Sequence, residues 1–288
     1  MFRSRLGISA SLNVGLRAAK GEYIARMDAD DLSLPERFEV QVKYMDDNPH
    51  IAVCGSDIIC INSEGRRLFS NDGFPEYPEQ IKSDLLFYCV VRHPTVIIRK
   101  KSVYENNLFY NEEFCSSEDY ELWCRAVHSI GISKIPSILL KYRWHNNNGT
   151  HANYEESIKN CINVLNSNLN RLQLHPSEAE LKYLCQLTCK ENIKNFKIIE
   201  KILNNFYVLI LDKNRELNIY DEACLKNTLD KRMYWKRHPF RRIAVIIIKS
   251  IAGVTQMKQL DLLAIHLEMR GFVSALKRTL SRIAAKKF

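Results

Sequence analysis

The chain has 288 residues, of which 46% are hydrophobic and 26% charged, as in an ordinary globular protein of one large or two small domains. Its nine cysteines include no C-x-x-C pair, which argues against a disulfide framework or a zinc knuckle and predicts reduced thiols. No secretory signal peptide is predicted, and the longest apolar run, 243–248, is too short to span a bilayer. The net charge of +9 is concentrated in residues 231–288, with 14 Lys and Arg against 2 Asp and Glu, which favours an anionic partner surface.

The first predicted elements are a helix and a strand that leads to three aspartates. Apolar residues at helical spacing predict a helix over residues 8–20, with Ser9 as a possible cap. Gly21 ends it, and a strand over Tyr23–Met27 follows, as in an α/β protein. The strand then reaches Asp28-Ala29-Asp30-Asp31.

The clustered aspartates allow two interpretations. In an extended chain Asp28 and Asp30 point to the same side, roughly 6–7 Å apart, and their like charges raise each other's pKa unless a cation lies between them. Mg²⁺ or Mn²⁺ fits such oxygen ligands. The alternative is a solvated acidic turn that caps the next helix.

The following segments continue the α/β pattern. Ser33 and Glu36 match a capping box at the start of a helix that reaches Asn48-Pro49. One or two strands are predicted within 51–61, a turn at 62–65, a strand at 93–99 and a strand pair at 135–144. Residues 70–80 and 104–115 are predicted as loops, and from 154 onward the pattern is helical.

Two further groups of polar residues are candidates for chemistry. Glu118 and Asp119 open a helix predicted from residue 116, where they either complement the helix dipole or supply a general base. Arg143 and His145 end a strand, where they could hold a diphosphate and a metal or simply be surface residues.

Several of these segments, taken together and in this order, resemble the nucleotide-sugar-dependent glycosyltransferases of family 2. The resemblance covers roughly residues 7–150. It is carried by A-K-G-E-Y-I-A-R-M-D-A-D-D (19–31), P-E-R-F (35–38), H-P-T (93–95), E-D-Y-E-L-W (118–123) and Y-R-W-H (142–145). It implies a truncated GT-A-like, Rossmann-like core and inverting transfer of a sugar from a nucleotide-sugar donor, expected to be a UDP-sugar.

The resemblance also implies roles for individual residues. Asp30 would bind a Mn²⁺ or Mg²⁺ ion that bridges the donor diphosphate, with Asp28 near the ribose or the metal. Asp119 would be the catalytic base that deprotonates the acceptor hydroxyl, and Glu118 would help to place it. His145 would be a late metal or diphosphate ligand.

Two donor-binding assignments rest on weaker matches. Arg143 would assist at the diphosphate. Asn13 matches the second residue of the family's Arg-Asn pair, but Leu12 stands where the arginine is expected.

Three regions are predicted: an N-terminally incomplete catalytic core (1–150), a helical region (151–230) and a basic amphipathic helical tail (231–288). The family's first strand–helix–strand unit, which holds the donor base and ribose, has no counterpart here. Its lack would expose sheet edges.

The tail is expected to lie on an anionic membrane surface, which would make the protein a cytoplasmic, peripheral enzyme. In that position it would reach a glycan or lipid-linked acceptor of surface polysaccharide or glycoconjugate synthesis. No nucleic acid partner is expected. The alternative is a non-catalytic, membrane-associated remnant with an incomplete donor site.

Overall fold

The computed structural model describes residues 7–71, 75–144, 154–186 and 196–237. The strands are β1 (Tyr23–Ala25), β2 (Leu32–Ser33), β3 (Ile51–Ile61), β4 (Arg67–Asn71), β5 (Ile97–Arg99) and β6 (Gly131–Arg143). The helices are α1 (Ile8–Ala18), α2 (Arg37–Asp47), α3 (Pro78–Leu85), α4 (Lys100–Glu105), α5 (Glu118–Ala126), α6 (Tyr154–Arg171), α7 (Glu178–Gln186), α8 (Phe196–Leu217) and α9 (Glu222–Arg237). A 3₁₀ turn over His93–Thr95 precedes β5.

The six strands form one mixed sheet in the order β1-β5-β3-β6-β2, and β4 pairs with the distal half of β3. β3 and β6 run parallel, whereas each of the other pairs is antiparallel. β3 is buried along nearly its whole length because both of its edges are paired. Its continuous apolar sequence is typical of a central strand that is covered on both faces.

Helices cover the two faces of this sheet. Val53 of β3 belongs to a core that includes Trp123 of α5, whereas its neighbour Cys54 packs with Met45 of α2. Successive strand residues point to opposite faces, so β3 supplies side chains to both cores. The sheet thereby becomes the rigid layer from which the segments after β1 and before α5 project.

The helices after residue 154 pack onto this α/β layer through a second core. Leu86 and Phe87, just after α3, are buried among leucines of α6, α7 and α9. The compact unit Met1–Arg232 therefore runs across the boundary predicted near residue 150. The division of the chain into three regions remains a prediction. Of the predicted tail, 231–288, residues 231–237 form the end of α9, and residues 238–288 lie outside the described residues. Within the described ranges, every helix is too short or too polar to traverse a lipid bilayer.

The fold class predicted from the sequence, α/β followed by a helical C-terminal region, is confirmed. The turn at 62–65 is confirmed as well: the Asn62 side chain accepts hydrogen bonds from the backbone N–H groups of Glu64 and Arg66, and Gly65 has a φ of 83°. A left-handed φ of this kind suits glycine, which lacks a Cβ.

Two predicted helix caps are wrong. Ser9 lies inside α1, whose N-terminal cap is Gly7, and the Ser9 hydroxyl donates to the carbonyl of Phe114. Ser33 lies in β2, and α2 is capped by Glu36 without a side-chain hydrogen bond. Instead of capping a helix, Ser33 pairs with Leu140 of β6, a long-range contact that a local sequence pattern cannot reveal.

Several predicted boundaries also differ. β1 ends at Ala25 rather than at Met27. Residues 78–85, partly assigned to a loop, form α3. The strand pair predicted at 135–144 is the single strand β6, whose pairing with β3 shifts register where Pro136 and Ser137 are exposed.

Candidate functional site

The aspartates that follow β1 lie in a turn. The Arg26 N–H donates to the carbonyl of Val96 (3.0 Å), the last cross-strand bond before the chain leaves the sheet. The Asp31 N–H then donates to the Asp28 carbonyl (3.3 Å), which closes a turn over residues 28–31. The expectation that Asp28 and Asp30 share one side of an extended strand is therefore wrong, because residues 28–31 form a turn.

A cation already faces this acidic turn. The Arg26 guanidinium forms a two-armed ion pair with Asp28, with N–O distances of 2.7 and 3.0 Å. The Arg26 side chain is 12% exposed and that of Asp28 is 38% exposed. Asp28 therefore has a neutralising partner on the protein side and an accessible surface on the other.

Asp31 is the buried member of the turn. Its Oδ1 accepts the backbone N–H of Arg143 (2.8 Å), while its buried Oδ2 has no hydrogen-bond partner in the described part of the chain. Burial, followed by the charges of Asp28 and Asp30, raises the pKa of Asp31 to about 6, although the bond from Arg143 lowers it. A carboxylate with an unsatisfied oxygen in this position favours a proton or a cation.

Arg37 and Gln41 of α2 hold the backbone beneath the turn. The Arg37 guanidinium donates to the carbonyl of Arg26 (2.8 Å), and the Gln41 amide donates to the carbonyls of Cys54 and Thr95 (both 2.9 Å). The two side chains also bond to each other (3.0 Å), and both are buried. The P-E-R-F segment and Gln41 therefore support the chain that carries the aspartates.

Arg143 holds the turn from β6. Its guanidinium donates to the carbonyls of Asp30, Asn62 and Ser63 at 2.8 to 2.9 Å. The side chain predicted to assist at the diphosphate thus ties the aspartate turn to the β3–β4 hairpin. His145, predicted as a metal or diphosphate ligand, lies outside the described residues.

Glu118 and Asp119 open α5, as the sequence predicts, after Ser117 in a left-handed conformation (φ 61°). Burial and the charge of Asp119 raise the pKa of Glu118 to about 7. Desolvation also raises the pKa of Asp119, whose Oδ1 accepts the N–H of Tyr120 (2.8 Å) and whose Oδ2 lies 3.7 Å from the Cys89 thiol. Glu118 is buried, whereas Asp119 is partly exposed as a residue.

A hydrogen-bonded chain leads from α1 to His93, which lies close to Glu118. The amide of Asn13 donates to the carbonyl of Tyr110 (2.9 Å) and accepts its N–H (2.8 Å). The Tyr110 hydroxyl meets His93 Nε2 (2.7 Å), and His93 Nδ1 lies 3.8 Å from a carboxylate oxygen of Glu118. Burial holds the pKa of His93 well below its usual range, so the imidazole is neutral and this approach is not an ion pair. Asn13, predicted to bind the donor, is fully engaged with the segment at 110–112.

Arg26 connects the two acidic groups and was missed by the sequence reasoning. Besides pairing with Asp28, its charge lowers the pKa values of both Glu118 and Asp119. The charge of Asp28 in turn raises the pKa of Glu118, which shows that the turn after β1 and the start of α5 lie within electrostatic reach. The sequence feature that could have indicated this role is a single cationic residue two positions before Asp28.

The acidic turn fits a metal that takes some of its ligands from a substrate. In the described ranges, no three His, Cys, Asp or Glu side chains are grouped as a ready metal site. Asp28 and Asp30 are nevertheless accessible, and Asp31 Oδ2 is a buried oxygen that lacks a partner there. Mg²⁺ characteristically binds one or two carboxylates and completes its shell with water and substrate phosphates.

Comparison with known proteins supports the sequence resemblance. Residues 1–107 match the family model described as glycosyl transferase family 2. An uncharacterized glycosyltransferase of Haemophilus influenzae is 29% identical over 218 residues, covering 72% of this chain and 67% of that protein. The amylovoran biosynthesis glycosyltransferase AmsE of Erwinia amylovora is 32% identical over 149 residues, covering 49% of this chain and 52% of that protein. The chain therefore spans about two thirds of the first relative and about half of the second.

Among solved structures, that of residues 1–349 of TarS from S. aureus in complex with UDP-GlcNAc is similar over 81% of this chain and 72% of that chain. The TM-score is 0.47 and the identity 18%, so this likeness carries no argument about the site. The assignment rests instead on the match of residues 1–107, which contain the aspartate turn, and on relatives that are named glycosyltransferases. Residues 1–107 of this chain therefore match glycosyltransferase family 2.

Proposed function

We propose that this protein is an inverting, metal-dependent glycosyltransferase that moves a sugar from a nucleotide-sugar donor, a UDP-sugar, to a glycan or lipid-linked acceptor in surface polysaccharide or glycoconjugate synthesis. The observation that carries the proposal is the electrostatic coupling of two acidic groups far apart in sequence, the turn at 28–31 and the Glu118–Asp119 pair, through Arg26. Donor activation and acceptor deprotonation need two such groups side by side.

Asp28 and Asp30 would hold a Mn²⁺ or Mg²⁺ ion, with His145 as a further ligand. When bound, this ion would stabilise the negative charge that develops on the leaving diphosphate. In this proposal Asn13 and Arg143 serve the donor site by fixing the backbone around it, which agrees with their bonds to Tyr110 and to the carbonyl of Asp30.

Asp119 is the proposed base. It takes the proton of the acceptor hydroxyl as the oxygen forms a bond to the anomeric carbon and the bond from that carbon to the diphosphate breaks. Its raised pKa makes it a stronger base than an ordinary aspartate. Buried Glu118 positions Asp119 at the first turn of α5.

Replacement of Asp119 by asparagine tests the proposal. Asp119→Asn keeps the side-chain shape and removes the base, so transfer from a panel of UDP-sugars should fall by about 10² to 10⁴-fold. Binding of UDP with Mn²⁺, followed by calorimetry, should be retained. Glu113→Gln, a loss of charge at an exposed residue before α5, is the matched control and should transfer normally.

Two results would contradict the proposal. Unchanged turnover in Asp119→Asn refutes its role as the base. If the folded full-length protein gives no heat with UDP-sugars and Mn²⁺, the chain is the non-catalytic remnant that the sequence left as the alternative.

We also propose that the basic tail holds the enzyme on the cytoplasmic face of an anionic membrane. The charge of residues 231–288 supports this assignment. Removal of that segment should release the protein from vesicles that contain phosphatidylglycerol, and continued binding would show that the tail is not the anchor.

A further inference from the structure

Three aromatic side chains, one partly buried and two exposed, pack together near the aspartate turn. Phe69 of β4 and Tyr142 of β6 are both in register with Cys60 of β3, so the two rings lie on the same face of the sheet. Trp144 follows Tyr142 by two positions and packs edge-on against Phe69 (5.9 Å between ring centroids) and Tyr142 (6.5 Å). Phe69 is 40% exposed and Trp144 45% exposed. We call Phe69, Tyr142 and Trp144 the aromatic platform.

The backbone holds this platform beside the proposed donor site. The Trp144 N–H donates to the carbonyl of Ile61 (2.8 Å), which extends the β3–β6 ladder by one bond. The Arg143 N–H, between the two platform residues of β6, donates to the Asp31 carboxylate (2.8 Å). The rings are therefore fixed relative to the turn that carries the aspartates.

We propose that the aromatic platform is the acceptor subsite and that it binds a pyranose ring of a glycan by stacking. The face of an aromatic ring carries partial negative charge, which attracts the C–H groups that one face of a pyranose presents. Contiguous apolar groups that stay exposed on a protein surface often mark ligand-binding sites. This inference rests on the proposed function, because it assigns the sugar acceptor of that same reaction.

A membrane surface is the less suitable occupant. Leu68 is 44% exposed, but it neighbours Phe69 on one strand, so their side chains point to opposite faces. The apolar area is thus divided between two faces rather than joined into one insertion surface. Only the Phe69 face is continuous with Tyr142 and Trp144.

Binding of neutral oligosaccharides to the full-length protein tests the inference. The probes are tetrasaccharides of glucose, galactose, mannose or N-acetylglucosamine, followed by saturation-transfer NMR. The wild-type protein should transfer saturation to the C–H protons of at least one pyranose. Phe69→Ala and Trp144→Ala should each weaken that binding about tenfold, as expected for loss of an aromatic anchor. Leu68→Ala, with equal exposure on the opposite face, should stay within about twofold.

Binding of UDP with Mn²⁺, measured on the same samples, separates this inference from the proposed function. If the wild type binds the saccharides but not UDP, the platform stands and the proposed donor site fails. The inference is overturned if no tetrasaccharide binds the wild type, if Leu68→Ala weakens binding as much as Trp144→Ala, or if the platform variants lose affinity for phosphatidylglycerol vesicles with saccharide binding intact.

Discussion

Glu118→Gln should remove a pH-dependent cost to folding. Glu118 is 7% exposed, and burial raises its pKa from an ordinary 4.5 to about 7. Below pH 4.5 the carboxyl is protonated in the folded and unfolded states alike, so it contributes no pH dependence. Between these two pKa values the folded state binds the proton more strongly, and the free energy of unfolding decreases as the pH rises.

The size of this effect follows from the two pKa values. Each pH unit between 4.5 and about 7 costs about 1.4 kcal/mol, which gives a total of about 3 kcal/mol above pH 7. Glutamine has nearly the same shape and no charge. The variant should therefore gain stability relative to the wild type as the pH rises, from little difference at pH 4.5 to about 3 kcal/mol at pH 8.

Urea unfolding of both proteins at intervals from pH 4.5 to pH 8 measures this difference. Asp31, with a pKa raised to about 6, contributes a dependence of the same sign that remains in both proteins and so cancels in the comparison. Glu113→Gln, at an exposed site, is the control and should give a flat difference. A stability difference for Glu118→Gln that is independent of pH would refute the reasoning.

Two further substitutions test the framework around the site. Arg37→Met keeps the volume of the side chain but leaves the carbonyl of Arg26 and the Gln41 side chain without their donor. Chemical unfolding should therefore show a free energy of unfolding that is lower by about 2–4 kcal/mol. The control Arg66→Met, at an exposed position, should show almost no change. Ser177→Ala breaks the capping box in which the Ser177 N–H donates to the Glu180 carboxylate (2.8 Å) and the Glu180 N–H to the Ser177 hydroxyl (3.3 Å). It should cost about 1 kcal/mol; an unchanged unfolding midpoint would argue against the cap.

Local patterns in the sequence predicted those parts of the fold that local interactions determine. The start of α7 depends on a capping box only four residues long, from Ser177 to Glu180, and both of its hydrogen bonds are present. The similar pattern of Ser33 and Glu36 failed because β6 competes for the same residues. The strand pair predicted at 135–144 is one strand because β6 continues through a register shift at Pro136, where a residue without an N–H is tolerated.

The acidic residues of the candidate site were named from the sequence, but the groups that position them were not. Asp28, Asp30 and the Glu118–Asp119 pair stand out as charged residues at the ends of apolar segments. The role of Arg26 depends on the approach of α5 to β1, which no local pattern contains. His93 and Tyr110 are likewise placed against Glu118 only by packing.

The arginines around the aspartate turn explain how like charges remain together there. Arg37 fixes the carbonyl of Arg26, Arg26 pairs with Asp28, and Arg143 fixes the carbonyl of Asp30. Two of the three thus act on backbone carbonyls and leave the carboxylate of Asp30 accessible. Because contacts with β6 and α2 hold the turn, its acidic groups are oriented before any ligand binds. Orientation that precedes binding reduces the reorganisation required during the reaction, which is how fixed charges contribute most to catalysis.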